Sequence, residues 1–286
     1  MNSATNMNGE NKSINGAPKP FLKWAGGKRQ ILPELSAFMP SQYNTYIEPF
    51  VGGGAVFFHL GPQKSILIDN NPDLINCYNV VKNNVEDLIE SLKQHKNEKE
   101  YYYKIRNVDR DAKSFSRWSD VEKASRLIYM NRCCYNGLYR VNSKGQFNVP
   151  FGRYKNPKIC DDANLRAASE ALQSAEIYQD GFERCLEHAK KGDFLYLDPP
   201  YVPLSNTAYF TSYTKDAFNL ESQEKLFNTF KELDKRGCKV MLSNSYCDYI
   251  VDLYGEFRQE ILMANRAINS NAQKRGKIKE ILILNS

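Results

Sequence analysis

Histidine is scarce in this chain: His59, His95 and His188 are scattered over 286 positions. A catalytic or metal site built on imidazole is therefore not expected. The seven cysteines (Cys77, Cys133, Cys134, Cys160, Cys185, Cys238 and Cys247) are odd in number and form no CxxC pair. That pattern argues against a disulfide framework or a zinc site, and it favours a reducing, cytoplasmic location. No apolar run approaches the length needed to span a bilayer. Met1 to Pro20 lacks the apolar centre of a signal peptide and is rich in Asn and Ser, so a disordered tail over 1–17 is expected. Charge of neither sign dominates: 39 Lys+Arg against 33 Asp+Glu gives +6, which admits a polyanionic partner without establishing one.

What remains is an ordinary globular composition, 42% hydrophobic and 25% charged, long enough for one elaborated domain or two. Gln30 to Phe38 reads as a short helix and Thr45-Tyr46-Ile47 as a strand. Ala55 to Leu60 reads as a helix, and Ser65 to Ile68 as a strand ending at Asp69. The middle of the chain breaks this alternation. Val85 to Gln94 is helical, and Ser119-Asp120-Val121-Glu122 has the form of a capping box opening a helix through about Cys134. Gly137 to Tyr154 alternates around the turn Asn142-Ser143-Lys144-Gly145, the pattern of a hairpin. An inserted, mainly helical domain is expected over 72–159, dividing a larger domain into 18–71 and 160–286. In the second part, Leu165 to Gln173, Phe182 to Lys190 and Leu220 to Lys235 read as helices, the last closed by Gly237. Ala175 to Tyr178, Phe194 to Leu197, Val240 to Leu242 and Ile278 to Leu284 read as strands. The fold class is α/β, a Rossmann-like sheet with helices on both faces.

Two segments carry chemistry. The first is Glu48-Pro49-Phe50-Val51-Gly52-Gly53-Gly54, which follows a strand. Its glycines allow positive φ and a close backbone approach to a ligand. Asp69 ends the next strand fifteen positions after Gly54, where a carboxylate can accept both hydroxyls of a ribose. The order is not GxGxxG, which disfavours a pyrophosphate-bearing cofactor. The second segment is Asp198-Pro199-Pro200-Tyr201, after the apolar run Phe194-Leu195-Tyr196-Leu197. A buried parallel strand would deliver this stiff loop to its carboxyl end, where open α/β sheets hold ligands. Two prolines fix φ and remove donors, leaving the Asp198 carboxylate and Pro199 carbonyl as acceptors beside the Tyr201 ring. Acceptors plus a stacking face suit an amino group on a planar ring.

These residues resemble the catalytic motif of amino-methyltransferases that act on nucleic-acid bases, and Phe50-x-Gly52-x-Gly54 resembles the motif that binds S-adenosylmethionine. With Phe21-Leu22-Lys23-Trp24-Ala25-Gly26-Gly27-Lys28, the set resembles the Dam-type family of DNA adenine-N6 methyltransferases from Pro20 to Ser286. The motif order is that of the α-group. The resemblance implies a methyltransferase sheet that takes S-adenosyl-L-methionine and no metal. Trp24, Lys28, Glu48, Phe50, Gly52, Gly54, Asp69 and Asp198 would lie at the cofactor, and Asp198, Pro199, Pro200 and Tyr201 would be catalytic. It implies a flipped target base in duplex DNA, stacked on Tyr201. It also implies a hairpin that reads GATC: Arg140 a guanine reader, Tyr135 a wedge, Asn136, Leu138, Pro150 and Arg153 nearby contacts, and Lys23 touching a further base. Arg126, Arg132, Lys155, Lys158, Lys274 and Arg275 are candidate phosphate contacts. A monomer is expected, with a cognate restriction endonuclease acting on the same site as an indirect partner.

Other readings stay open on the residues alone. The same chemistry on cytosine N4 or on an RNA adenine fits the loop, although the hairpin favours duplex DNA. A non-catalytic DNA-binding relative would have no use for an intact Asp-Pro-Pro-Tyr loop. The absence of a Pro-Cys dipeptide disfavours attack on cytosine C5. A dehydrogenase survives only on fold analogy.

Overall fold

Side chains along the central strands alternate between two hydrophobic cores, as expected of a sheet buried on both faces. In the computed structural model, which describes residues 17–202, 218–265 and 277–285, Tyr46, Leu67, Phe194, Tyr196, Met241 and Leu282 enter one core. Their neighbours Ile47, Ile66, Leu195, Leu197, Leu242 and Ile283 enter the other.

The elements follow the sequence closely. The described chain runs through α1 (Leu32–Ser36), β1 (Tyr46–Glu48), α2 (Ala55–Leu60), β2 (Ser65–Asp69) and α3 (Pro72–Asn83). It continues through α4 (Val85–Lys93), α5 (Lys99–Asn107), α6 (Ala112–Phe115), α7 (Asp120–Cys133), α8 (Asp162–Leu172) and β3 (Ala175–Gln179). Last come α9 (Cys185–His188), β4 (Phe194–Leu197), α10 (Leu220–Lys235), β5 (Lys239–Ser245), α11 (Asp248–Leu253), β6 (Arg258–Asn265) and β7 (Lys277–Leu284). The strand order is β3-β2-β1-β4-β5-β7-β6, parallel except for β7, which runs antiparallel to both its neighbours. From β1 the chain winds outward to β2 and β3, then returns to β4 on the other side of β1. The β1/β4 junction is therefore the switch point, the place where open α/β sheets hold their ligands, at the strands' carboxyl ends.

Local chemistry sets the boundaries. The capping box of α7 forms in both directions, Ser119 accepting from the Glu122 N–H and Glu122 accepting from the Ser119 N–H. Asn71 caps α3 and Asn219 caps α10 through their side-chain oxygens. Gly237 follows α10 at φ 78°, a left-handed position suited to glycine. The expected helix at Phe182 to Lys190 is instead a 3-10 turn at Phe182–Arg184 followed by α9. The helices α3, α5, α6 and α11 and the strand β6 complete the architecture without having been individually expected.

Residues from α3, α4, α7 and α8 share one core with a face of the sheet, while α10 and α11 cover the other face. The Tyr101-Tyr102-Tyr103 cluster packs inside this helical layer, with Tyr102 buried and its hydroxyl donating to the Val149 carbonyl. His95 sits there too, stacked on Tyr129 at 4.2 Å and bonded to Tyr101 Oη and Ser125 Oγ. Burial pushes its pKa down to about 4, so the folded protein holds it neutral.

A depressed histidine contributes stability that is present above its unfolded value near 6.5 and is lost as pH falls toward 4. Between pH 7 and pH 5 the wild type is expected to lose roughly 2 kcal/mol through this group. Urea unfolding of the wild type and His95→Gln at both pH values measures it. The difference between the two should shrink by about that amount at pH 5.

Candidate active site

β4 is buried along its whole length and hands over directly to Asp198 at the switch point. The Asp198 carboxylate is paired with Lys28, whose Nζ lies 2.7 Å from Oδ1. The same ammonium donates to the Gly26 carbonyl at 2.9 Å and sits 4.7 Å from the centre of the Tyr201 ring. Lys28 is 4% exposed, deep for an ammonium, and is tolerable there because a carboxylate, a carbonyl and an aromatic face surround it. Burial raises Asp198 above the usual carboxylate range, and Lys28 opposes that rise. Tyr201 donates its hydroxyl to Glu280 Oε2 at 2.8 Å, which fixes the ring's tilt. Pro199 is buried and Pro200 is exposed.

Next to this loop, β1 ends at Glu48, which accepts from Tyr46 Oη at 2.9 Å and is pushed well above its ordinary range by burial. The turn that follows uses left-handed backbone at Gly52 (φ 47°) and Gly54 (φ 68°). A Cβ at Gly52 would lie 2.9 Å from Trp24 Cδ1, and one at Gly54 would lie 2.5 Å from Tyr78 Oη. Only glycine permits the indole to lie flat on this turn. Asp69 holds the turn from the neighbouring strand, accepting from the Gly52 and Asn71 N–H groups at 3.0 Å each. A carboxylate has about four acceptor positions, so these bonds leave part of its capacity for a hydroxyl. Phe50 stacks on Phe182 at 5.3 Å. The structure thus gathers Trp24, Lys28, Glu48, Phe50, Gly52, Gly54, Asp69 and Asp198 around the ends of β1, β2 and β4. Bare backbone under an indole, a cation and a strand-end carboxylate suit a ligand with an amino-acid end and a ribose, such as S-adenosylmethionine.

The hairpin differs from expectation. Its turn forms as read, with the Asn142 N–H donating to the Gln146 carbonyl and Gly145 at φ 73°. Its arms are joined by isolated bridges, Val141 with Phe147 and Cys134 with Phe151, and by single backbone bonds such as Asn148 N–H to the Arg140 carbonyl, rather than by a continuous ladder. Arg140 is exposed, and its guanidinium is held by the Asn148 side chain at 2.6 Å and the Asn148 carbonyl at 3.1 Å. Tyr135 is 51% exposed and Leu138 partly buried. Pro150 is exposed, and its carbonyl accepts from the Tyr135 N–H. Asn136 and Arg153 adopt left-handed backbone (φ 57° and 56°), uncommon for non-glycine residues and frequent at binding sites. Lys23 lies against Gly137, with Nζ 5.0 Å from the Tyr154 ring. Trp24 stacks on Tyr139 at 5.0 Å, which joins the glycine turn to the base of the hairpin.

Two candidate phosphate contacts are corrected. Arg126 is 6% exposed and is consumed by the Ile105 and Arg106 carbonyls and the Asp109 carboxylate. Arg132 is partly buried and donates to the Phe21 carbonyl. Both sit on α7 and face inward, which a charge count could not reveal. Lys155 and Lys158 are exposed, and Lys158 pairs with Asp161. Lys274 and Arg275 lie outside the described residues. Sequence reasoning also passed over Glu280, Tyr139, Tyr78 and Asn131. Asn131 bridges Lys23 and Gly137, accepting from the Lys23 N–H and donating to the Lys23 and Gly137 carbonyls. A cavity of about 430 Å³ bounded by Asp73, Phe115, Lys123, Arg126 and Lys144 contains none of the residues expected at the cofactor or the reacting base.

Residues 24–268 match the family model described as D12 class N6 adenine-specific DNA methyltransferase. The type II methyltransferase M1.LlaDCHI of Lactococcus lactis is 50% identical over 93% of this chain and 95% of its own length. The type II methyltransferase M.MjaIII of Methanocaldococcus jannaschii is 47% identical over 93% and 99%. The DNA adenine methylase of Escherichia coli K12 is 36% identical over 93% and 95%. Among solved structures, a precorrin 8W decarboxylase from Methanobacterium thermoautotrophicum covers 94% of this chain and 98% of its own at 10% identity and a TM-score of 0.38.

Gly54→Ala adds left-handed strain and drives a methyl group against the Tyr78 hydroxyl, which donates to the Gly52 carbonyl at 3.0 Å. A loss of roughly 2–4 kcal/mol in chemical unfolding is expected.

Proposed function

This chain belongs to the D12 class N6 adenine-specific DNA methyltransferases, which use S-adenosylmethionine, and we propose that it methylates the adenine of GATC in duplex DNA after flipping that base to the carboxyl ends of β1 and β4. The observation that carries the reading is the placement of the Asp198 carboxylate beside the Tyr201 ring, at the end of β4 and one strand from the glycine turn.

In the proposed site, S-adenosylmethionine supplies an electrophilic sulfonium methyl group. Trp24 would cover it, Asp69 would accept from its ribose and Lys28 would meet its carboxylate. The rest is done by the loop. An aromatic amine is a poor nucleophile because its lone pair is delocalised into the ring. The Asp198 carboxylate and Pro199 carbonyl accept its two N–H groups, which localises the lone pair on nitrogen. As the N–C bond forms and the sulfonium S–C bond breaks to leave a thioether, nitrogen would gain positive charge that the carboxylate, already in place before reaction, stabilises. The surplus proton on nitrogen would then pass to solvent. Tyr201 offers its face to the flipped base and replaces lost stacking, worth about 1–3 kcal/mol. A base in an intact duplex could not reach this loop, which is why flipping belongs to the reading.

For recognition, Arg140 is presented with its fork oriented by Asn148, the geometry suited to the acceptor pair of guanine. Tyr135, exposed five positions earlier, is the proposed wedge, and Asn136, Leu138, Pro150, Arg153 and Lys23 are the proposed neighbouring contacts. Residues 72–159 are the proposed recognition unit. A monomer fits a single site of this kind, and a restriction endonuclease cutting the same sequence is the proposed partner system.

Radiolabel from S-adenosylmethionine should enter a GATC duplex and be absent from a scrambled duplex or one already N6-methylated on both strands. Label in other adenine sites would remove the GATC assignment and keep the chemistry. Asp198→Ala should cut transfer by at least about 10²-fold while retaining duplex binding in a shift assay. Because Lys28 restrains the Asp198 carboxyl against burial, Lys28→Met should move the acid limb of the kcat profile to higher pH, measured at saturating cofactor. An unmoved limb would mean that another group titrates there.

A further inference from the structure

The Asp198–Tyr201 loop contains two prolines and therefore offers carbonyls but few N–H groups by which it could hold itself. Its position must be set by donors from elsewhere. We infer that Gln223, acting with Asn244 and Ser245, is the positioning residue for this loop, an assignment that rests on the methyl-transfer reading above. Gln223, in the first turn of α10, donates its amide to the Pro200 carbonyl at 3.2 Å. Asn244, on β5, donates to Gln223 Oε1 at 3.1 Å and accepts from the Val202 N–H at 3.4 Å and the Ser245 N–H at 2.8 Å. Ser245 closes the ring by donating its hydroxyl to the Val202 carbonyl at 2.7 Å. Gln223 is 1% exposed and Asn244 is fully buried, so water cannot replace either partner.

The consequence is geometric. The clamp grips the carbonyls of Pro200 and Val202 from the α10 and β5 side. Those atoms bracket Tyr201, whose hydroxyl is tied to Glu280 on β7, and Glu280 is registered against Ser245. The clamp thus fixes the backbone that carries the Pro199 carbonyl and the Tyr201 ring through residues that touch none of the reacting atoms, while Lys28 holds the Asp198 carboxylate. Near-attack alignment is sensitive to shifts of about 1 Å, each capable of costing on the order of 10²-fold in rate.

The test pairs Gln223→Met, which keeps the volume and removes the donor, with Gln223→Glu, whose introduced carboxyl donates to the Pro200 carbonyl only when protonated. Two readouts are taken: hydrogen exchange of the Tyr201 and Val202 amides, and kcat with KM for DNA and cofactor. In Gln223→Met the amides should exchange about tenfold faster. Its kcat should fall roughly 10–100-fold while both KM values stay within about threefold. Gln223→Glu should recover protection and kcat as pH is lowered from 8 to 6, each ratio taken against the wild type at the same pH. If Gln223→Met does not fold, Ser245→Ala, which removes a single bond to the Val202 carbonyl, carries the same comparison with a smaller loss.

Wild-type exchange and kcat in folded Gln223→Met would overturn the assignment. So would a loss in Gln223→Glu that no pH relieves, since the effect would then come from packing. A wild-type protein that transfers no methyl group to any duplex would refute the methyl-transfer reading itself, and the positioning role with it. An active wild type beside an unaffected variant would refute the clamp alone.

Discussion

A carboxylate withdrawn from water at the centre of a sheet is costly unless a cation meets it, and in this protein the cation is Lys28. The Lys28–Asp198 pair joins the segment that precedes the sheet to the loop that leaves β4. Three acids crowd the neighbouring strand ends: Glu48 on β1, Asp69 on β2 and Asp198 after β4. Each is settled differently. Glu48 is raised by burial and accepts from Tyr46, Asp69 is held by backbone N–H groups, and Asp198 has Lys28. The differences assign different chemistry to similar side chains. Asp198 is the one placed to face a positive charge growing on a substrate.

Much of this was readable in the chain, for local reasons. The run Phe194 to Leu197 announced a strand buried on both faces, and Asp198-Pro199-Pro200-Tyr201 could only be the loop after it. Gly52 and Gly54 announced positive φ, which they adopt. Ser119 and Glu122 announced a helix start and form it. The elements that escaped notice lack such punctuation. β6 carries Gln259 and Glu260 among apolar residues and depends on β7 for its pairing. α3 begins at Pro72, three residues after β2 ends at Asp69.

Side-chain direction was the least legible property. Arg126 and Arg132 count as positive charge in any sequence tally, yet α7 turns both inward onto carbonyls. The clamp of Gln223, Asn244 and Ser245 joins residues from two elements that carry no motif, and only the register of β5 beside β4 brings them to the loop. Trp24 illustrates the middle case. The resemblance placed it at the cofactor, and the structure adds an indole lying between the glycine turn and Tyr139. That stack makes a continuous contact from the cofactor side of the site to the base of the hairpin.

The account turns on one geometric claim, that the target adenine is held by its amino group at the loop after β4. A crystal structure of the protein with a GATC duplex and a non-reactive S-adenosylmethionine analogue tests it directly. The expected result is an extrahelical adenine with N6 within hydrogen-bond distance of the Asp198 carboxylate and the Pro199 carbonyl, its ring against Tyr201. An adenine still stacked in the duplex, or flipped into a pocket away from Asp198, would contradict it.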